Sequence, residues 1–140
     1  MRDYIDDSII GIIEFEDITL EQIVGLPNLK KMGKCEVHVY SNEGPVPHFH
    51  LKSNNGNEIC ICIFDNRYFT HGKYTGTLSS IQRKQLNDWL NQPLKFDPRI
   101  NNWESIRITW FQSNNTPDYL FKKYNSIKQP DYSDIVGYKD

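Results

Sequence analysis

The strongest constraint on the fold of this chain is a hairpin signal at residues 54–57, which read Asn-Asn-Gly-Asn. An Asn-Gly pair accepts the positive φ angles of a tight type I′ turn between antiparallel strands. Residues 48–52 and 58–64 are predicted to be the two strands that this turn joins. Residues 34–40 alternate between apolar and polar side chains, which is typical of a half-buried strand. The sequence therefore predicts a small antiparallel sheet.

Other segments extend this sheet or cover it. The β-branched run at residues 8–16 predicts a strand or an irregular apolar arm, and residues 68–70 predict a short strand that continues the meander. Ser79 and Gln82 have capping-box spacing, so we expect a helix at about 80–91 that covers the sheet. The apolar side of this helix is predicted to consist of Ile81, Leu86, Trp89 and Leu90.

The C-terminal third adds weaker signals. Alternation at residues 105–111 predicts an extra strand, and Thr116 before a proline predicts the N-cap of a short helix over 117–124. Residues 125–140 are polar and weakly patterned, which predicts a flexible tail that orders on a partner. Near the other end, a capping-box pattern predicts a short helix over residues 20–24.

Length and composition limit the class of protein. A chain of 140 residues is predicted to be a single α+β domain that needs no disulfide to fold. Three cysteines and the absence of a signal segment predict a reducing, cytoplasmic setting. No apolar run is long enough to span a membrane, and a net charge of −2 gives no general affinity for nucleic acid.

Two histidines are the candidate functional residues. His48 and His50 are two apart on a predicted strand, so both project to one side, with Cα atoms roughly 6.5–7 Å apart. Neutral imidazole is a common ligand for zinc and other transition metals. The candidate metal ligands are His38, His48 and His50, and Glu43 or His71 are the other candidates for the third ligand. The alternative is a structural role, in which no cofactor is expected and the imidazoles form hydrogen bonds with turn carbonyl groups.

The register of the hairpin decides what lies beside the histidines. A two-residue loop places Ile61 and Ile63 opposite them, on an apolar face. A three-residue loop over 55–57 brings Cys60 and Cys62 to their side, where a two-His, two-Cys zinc site becomes geometrically feasible. The other interpretation of these cysteines, which we favour, is that they are small buried hydrophobic residues.

A catalytic role without metal is a further alternative. His48 and His50 beside Lys52 could serve as general acid and base on a phosphodiester, as paired imidazoles do in metal-independent ribonucleases. The sequence has no Gly-rich phosphate loop, no Gly-x-Ser-x-Gly elbow and no His-Glu-x-x-His motif. The sequence therefore contains no motif that would assign the protein to one of these familiar enzyme classes.

Residues 40–43 (Tyr-Ser-Asn-Glu) and 47–51 (Pro-His-Phe-His-Leu) resemble a small prokaryotic family of domains of unknown function. Its members read roughly Tyr-x-Asn-Glu/Asp and Pro-Pro-His-Phe-His-Val, followed by a hairpin, a Gly-x-Leu element and a helix with Trp. Gly-Thr-Leu at 76–78 and Trp89 match, so the resemblance covers about residues 34–92. It implies an α+β fold and a setting in accessory, mobile-element or toxin–antitoxin loci.

The chain also departs from that pattern. Val46 replaces the first proline, and residues 1–33 form an N-terminal extension. Together with the resemblance, these features predict a small cytoplasmic accessory protein of a bacterium or phage, with a toxin–antitoxin role or a phage host-interaction or anti-defence role as options. It is expected to act mainly by binding a partner macromolecule. A protein is the expected partner, and nucleic acid and homo-oligomers are other options. The rival expectation is a ribonuclease-like toxin or a metal-dependent hydrolase that uses His48 and His50.

Overall fold

The computed structural model describes residues 7–15, 33–41, 43–54, 56–69, 76–135 and 137–139. The elements of this part of the chain are β1 (Asp7–Glu14), β2 (Lys34–Tyr40), β3 (His48–Ser53), β4 (Glu58–Cys62), β5 (Tyr68–Phe69), α1 (Ser80–Leu90), α2 (Asn102–Ser113), α3 (Asp118–Asn125), a 3₁₀ turn (Tyr132–Asp134) and β6 (Tyr138–Lys139). The helix predicted over residues 20–24 and the candidate ligand His71 lie outside the described residues.

The strands form one sheet in the order β1-β2-β3-β4-β5-β6. Neighbours from β1 to β5 are antiparallel, and β6 pairs with β5 in parallel. The predicted α+β meander is therefore confirmed. One sheet face is apolar, and its fully buried side chains on β2, β3 and β4 are Cys35, Val37, Val39, Phe49, Leu51, Ile59 and Ile61.

Helix α1 begins with the predicted capping box. The Ser79 hydroxyl accepts a hydrogen bond from the Gln82 backbone at 3.1 Å, and the Gln82 side chain accepts one from the Ser79 backbone at 2.9 Å. The prediction for Ile81 is wrong, because its side chain is 47% exposed. The buried positions of α1 follow a spacing of four residues, which brings them onto one stripe. They are Gln82, Leu86 and Leu90.

Trp89 fixes α1 against the apolar face. A Cβ at Gly11 of β1 would lie only 2.9 Å from Trp89 Cζ2, so the indole rests directly on the strand backbone. The helix therefore covers the sheet as predicted, but on the face opposite to the histidines of β3.

The predicted strand at residues 105–111 is wrong, because this segment lies within helix α2. The Asn101 side chain caps the helix by accepting a hydrogen bond from the Glu104 backbone at 2.8 Å. Its β-branched residues favour strands, but tertiary packing overrides that preference. The residues that α2 buries recur at a spacing of three and four, as a helix requires. They are Trp103, Ile106 and Trp110.

The C-terminal region packs into the core and is not the predicted free tail. Tyr132 is completely buried, and its hydroxyl donates to the Ile63 carbonyl oxygen at 2.6 Å. The same hydroxyl accepts a hydrogen bond from Trp103 Nε1 at 3.3 Å. Helix α3 is present as predicted, but its N-cap is Pro117, without a side-chain hydrogen bond.

Strands β3 and β4 pair in a register that neither predicted loop gives. His50 lies opposite Cys60, and His48 lies opposite Cys62. The two-residue loop would set Ile61 against His50, and the three-residue loop over 55–57 would set Cys62 there. The observed register differs from the latter by two residues, so it keeps both cysteines on the histidine side of the sheet.

The hairpin loop has three residues, 54–56, and begins one residue earlier than predicted. Ser53 donates a backbone hydrogen bond to the Asn57 carbonyl oxygen at 2.8 Å, which closes the ladder. Gly56 donates to the Ser53 carbonyl oxygen at 3.1 Å and has a φ of 94°. Glycine accepts this left-handed conformation because it has no Cβ. The loop thus uses the glycine in its third position.

Candidate metal centre

The sheet face opposite to α1 carries the three described histidines, and we call it the histidine face. His38 on β2 pairs directly with His50 on β3, and His48 follows two residues from His50 on the same side. Their exposed fractions are only 0–2%. The alternation of β2 predicts that His38 lies on its more polar side, but this side is buried here as well. These imidazoles therefore lie in a largely dry environment.

Glu43 reaches the histidine face from the connection between β2 and β3. Its backbone donates a hydrogen bond to the Asn114 side-chain oxygen at 3.0 Å. The amide nitrogen of the same Asn114 donates to the Tyr40 carbonyl oxygen at 3.0 Å. Asn114 is the C-cap residue of α2. The end of this helix therefore positions the loop that carries the carboxylate.

Both imidazoles of β3 direct Nε2 towards one carboxylate oxygen. Glu43 Oε1 lies 2.6 Å from His50 Nε2 and 3.1 Å from His48 Nε2. One ligand atom from each of these three residues lies within 4.8 Å of the other two. A search of the described residues for His, Cys, Asp and Glu side chains with the spacing of a metal site finds this group of three.

The other nitrogen of each ring is held by an acceptor. His48 Nδ1 lies 2.8 Å from the Val46 carbonyl oxygen, and His50 Nδ1 lies 2.7 Å from Glu58 Oε2. Because a carbonyl or an ionised carboxylate only accepts, each Nδ1 carries the proton and donates it. With an ion in place of the Nε2 protons, each neutral ring would present its Nε2 lone pair to the centre. Metal-binding histidines are commonly oriented by such an acceptor at the second nitrogen.

The charges of the site favour an ionised Glu43. Burial raises the pKa of this carboxyl, but the hydrogen bonds and positive charges of His48 and His50 outweigh burial and hold the pKa well below its ordinary value. Conversely, burial, with the charges of Glu58 and Glu43, raises the pKa of the Cys60 thiol. Glu43, not Cys60, is therefore the anionic group that faces the two imidazoles.

Aromatic side chains surround the two imidazoles of β3. The His48 ring centroid lies 4.5 Å from that of Phe69 and 5.3 Å from that of Trp110. Tyr40 meets His50 edge-on at 4.6 Å. Glu43 is the more exposed member of the group, with a side chain that is 15% accessible. Access to the centre from solvent is therefore on the side of Glu43.

His38 does not join this group. Its Nε2 lies 2.8 Å from Glu36 Oε1, and its ring stacks on Tyr40 at 5.5 Å. Of the three candidate metal ligands, the structure brings together His48 and His50, and Glu43 takes the third place.

The two-His, two-Cys set is not assembled either. Cys60 Sγ lies 3.2 Å from His50 Nδ1 and 3.9 Å from its Nε2, so the thiol contacts the ring edge that faces Glu58. Sequence reasoning misses Glu58 because its contact with His50 depends on the hairpin register. In the observed register, Glu58 is opposite Lys52, which is two residues from His50 on the same side of β3.

Comparison of the chain with protein-family models, curated proteins and solved structures finds no match. The resemblance carried by residues 40–51 thus stays a prediction. Among the described residues, no helix has the length and apolar character needed to cross a membrane.

Proposed function

We propose that this protein is a metal-dependent hydrolase whose divalent ion is bound by Glu43, His48 and His50. The observation that carries the proposal is the convergence of two Nε2 atoms on one carboxylate oxygen, while an acceptor holds each Nδ1. Two imidazoles and one carboxylate are the protein ligands of several hydrolytic zinc sites.

A divalent ion suits this site better than protons alone. Without a metal, each Nε2 needs a proton to donate to Glu43 Oε1, although each Nδ1 already carries one. Both rings would then be imidazolium ions, and their centroids are only 5.2 Å apart in a buried environment. Like charges at that distance destabilise each other. A single ion among the three side chains satisfies both lone pairs and the carboxylate at once.

The three ligands found among the described residues favour catalysis over a structural role. Structural zinc sites generally have four protein ligands, whereas catalytic sites have three and keep one position open. Such an ion, when bound, lowers the pKa of a coordinated water to about 7 and so supplies a nucleophile for hydrolysis. In the protein itself, Glu58 and the Val46 carbonyl orient the ligands. Phe69 and Trp110 restrict water around His48.

The test is hydrolysis by the full-length protein after removal of metal with a chelator. We expect hydrolysis of p-nitrophenyl phosphate or p-nitrophenyl acetate to be lost on chelation and restored by Zn²⁺, Mn²⁺ or Fe²⁺. The substitutions His48→Ala and His50→Ala should abolish the restored activity, and His38→Ala should retain it. Activity that survives chelation would instead support metal-independent acid–base catalysis. Inactivity with every metal would reject the hydrolase.

Exposed aromatic side chains support a second candidate function, the binding of a protein partner. Phe96, between α1 and α2, is 93% exposed, and Tyr119 on α3 is 73% exposed. Exposed aromatic residues are common anchors in protein interfaces. Capture of a partner from host lysate should weaken for Phe96→Ser with Tyr119→Ser. Unchanged capture by this double variant, or none by the wild type, would reject these anchors.

A further inference from the structure

A groove of about 570 Å³ lies on the histidine side of the sheet, at the end of β2 and β3 that is next to the β3–β4 hairpin. Its described lining includes Ile12, Lys34, Glu36 and Lys52, and the β3–β4 hairpin forms one end. Lys52 follows two residues after His50 on β3, a step of roughly 7 Å along the strand. A volume of several hundred Å³ is typical of sites for small molecules. The groove is therefore suited to hold a small molecule.

Two lysines give this groove its charge. Lys34 on β2 and Lys52 on β3 are both exposed. Since Glu36 is the direct partner of Lys52 across the strands, Lys34 is its diagonal neighbour. Diagonal neighbours are roughly 7–8 Å apart, so both flexible ammonium groups can reach one anion.

The acidic neighbours of Lys52 are directed elsewhere. Glu36 and Glu58 flank Lys52 on the two adjacent strands. Glu36 binds His38 at 2.8 Å, and Glu58 binds His50 at 2.7 Å. Within the described part of the chain, neither Lys34 nor Lys52 forms an ion pair. The carboxylates nearest to the two lysines therefore bind histidines instead of the lysines.

We infer that the groove binds a small phosphate monoester, with its phosphate at Lys34 and Lys52 and its organic group against Ile12. Lysine binds phosphate as a point charge, and two lysines match the double negative charge of a monoester. Ile12 is 50% exposed and offers an apolar surface beside them. The inference concerns binding in the groove, which is measurable without metal and is separate from the proposed hydrolase.

The test is calorimetric titration of the chelator-treated, full-length protein with phenyl phosphate at neutral pH. We expect binding to the wild type, and about tenfold weaker binding for each of Lys34→Gln and Lys52→Gln. The matched control is Lys84→Gln, which removes an exposed lysine from α1, on the other side of the sheet. It should bind as the wild type does. Phenol, the neutral analogue, should not bind measurably.

Several results would overturn the inference. One is that the Lys34→Gln and Lys52→Gln variants bind phenyl phosphate as tightly as the wild type does. Another is that the wild type binds phenol as tightly as phenyl phosphate. The third is that it binds a short oligoribonucleotide more tightly than phenyl phosphate. The outcome is independent of the hydrolase test. Lysine-dependent binding without metal-dependent hydrolysis would leave the groove assigned and reject the proposed activity. Hydrolysis without lysine-dependent binding would support the proposed activity and reject the phosphate site in the groove.

Discussion

Glu58 holds the His50 ring through the nitrogen that faces away from Glu43, at 2.7 Å. Such an acceptor fixes the ring and raises the basicity of the other nitrogen. We therefore predict that Glu58→Gln lowers affinity for Zn²⁺ about 10–100-fold, as measured by competition with a chromogenic chelator. Glu36→Gln is the matched control, because Glu36 binds His38 at a similar distance, outside the centre. A loss of affinity as large in Glu36→Gln as in Glu58→Gln would contradict this assignment and implicate His38.

The sequence identifies part of the site at the level of residues. Spacing on a strand is enough to place His48 and His50 on one side, and Glu43 is among the candidates for a third ligand. Glu58 cannot be found in this way, since a shift of one residue in the hairpin register moves it to the other face. The contact depends on a loop that begins at residue 54 instead of 55.

Asn114 links helix α2 to the centre at the level of secondary structure elements. Besides its bonds to Glu43 and Tyr40, its amide nitrogen donates to the Trp110 carbonyl oxygen at 3.2 Å. Without this side chain the β2–β3 connection is less well fixed. We predict that Asn114→Ala lowers Zn²⁺ affinity roughly fivefold, equivalent to one hydrogen bond, and destabilises the fold by about 1 kcal/mol.

Asn91→Ala provides a matched control for this prediction. Asn91 is the C-cap residue of α1, and its amide nitrogen donates to the Asn87 carbonyl oxygen at 2.8 Å. It should lose about as much unfolding free energy as Asn114→Ala, in urea denaturation, but keep wild-type Zn²⁺ affinity. Equal Zn²⁺ affinity in both variants would show that Asn114 does not position Glu43.

Helix α2 shows where local pattern is insufficient. The alternation of Ile106, Ile108 and Trp110 predicts a strand, yet a helix buries only the first and last of these side chains fully. The helix is selected by distant contacts, such as the bond from Trp103 Nε1 to the Ile63 carbonyl oxygen at 2.9 Å. Local capping, in contrast, was sufficient to predict α1 from Ser79.

At the level of the whole molecule, Tyr132 joins the C-terminal region to the core. Burial raises the pKa of this phenol, although the hydrogen bond from Trp103 acts in the opposite direction. The folded state therefore keeps the proton when the unfolded chain, with a pKa near 10, begins to lose it. A raised folded-state pKa stabilises the fold below pH 10, and this contribution is lost as the pH rises above 10.

We predict that Tyr132→Phe lowers the free energy of unfolding by about 1–2 kcal/mol at pH 7, because its hydroxyl bonds are removed. The deficit relative to the wild type should shrink by about 0.8 kcal/mol at pH 10.5. Urea denaturation at both pH values measures it. Tyr119→Phe is the control, since Tyr119 is 73% exposed and should show no such pH-dependent difference. A deficit for Tyr132→Phe that is constant with pH would contradict the buried, protonated phenol.

The order of the first five strands follows from local signals, because each is joined to its neighbour in an antiparallel meander. The parallel pairing of β6 with β5 does not, since it brings together Tyr68 and Tyr138, which are far apart in the sequence. The buried position of Tyr132 is equally non-local: its hydroxyl contacts Ile63. The structure after residue 125 therefore depends on contacts with distant residues, which the local sequence pattern does not show.

A metal centre at Glu43, His48 and His50 can be detected by calorimetric titration of the chelator-treated protein with Zn²⁺. We expect one Zn²⁺ to bind per chain, with binding abolished in the His48→Ala, His50→Ala double variant and retained in His38→Ala. Absence of Zn²⁺ binding to the wild type, or unchanged binding to the double variant, would contradict this metal centre.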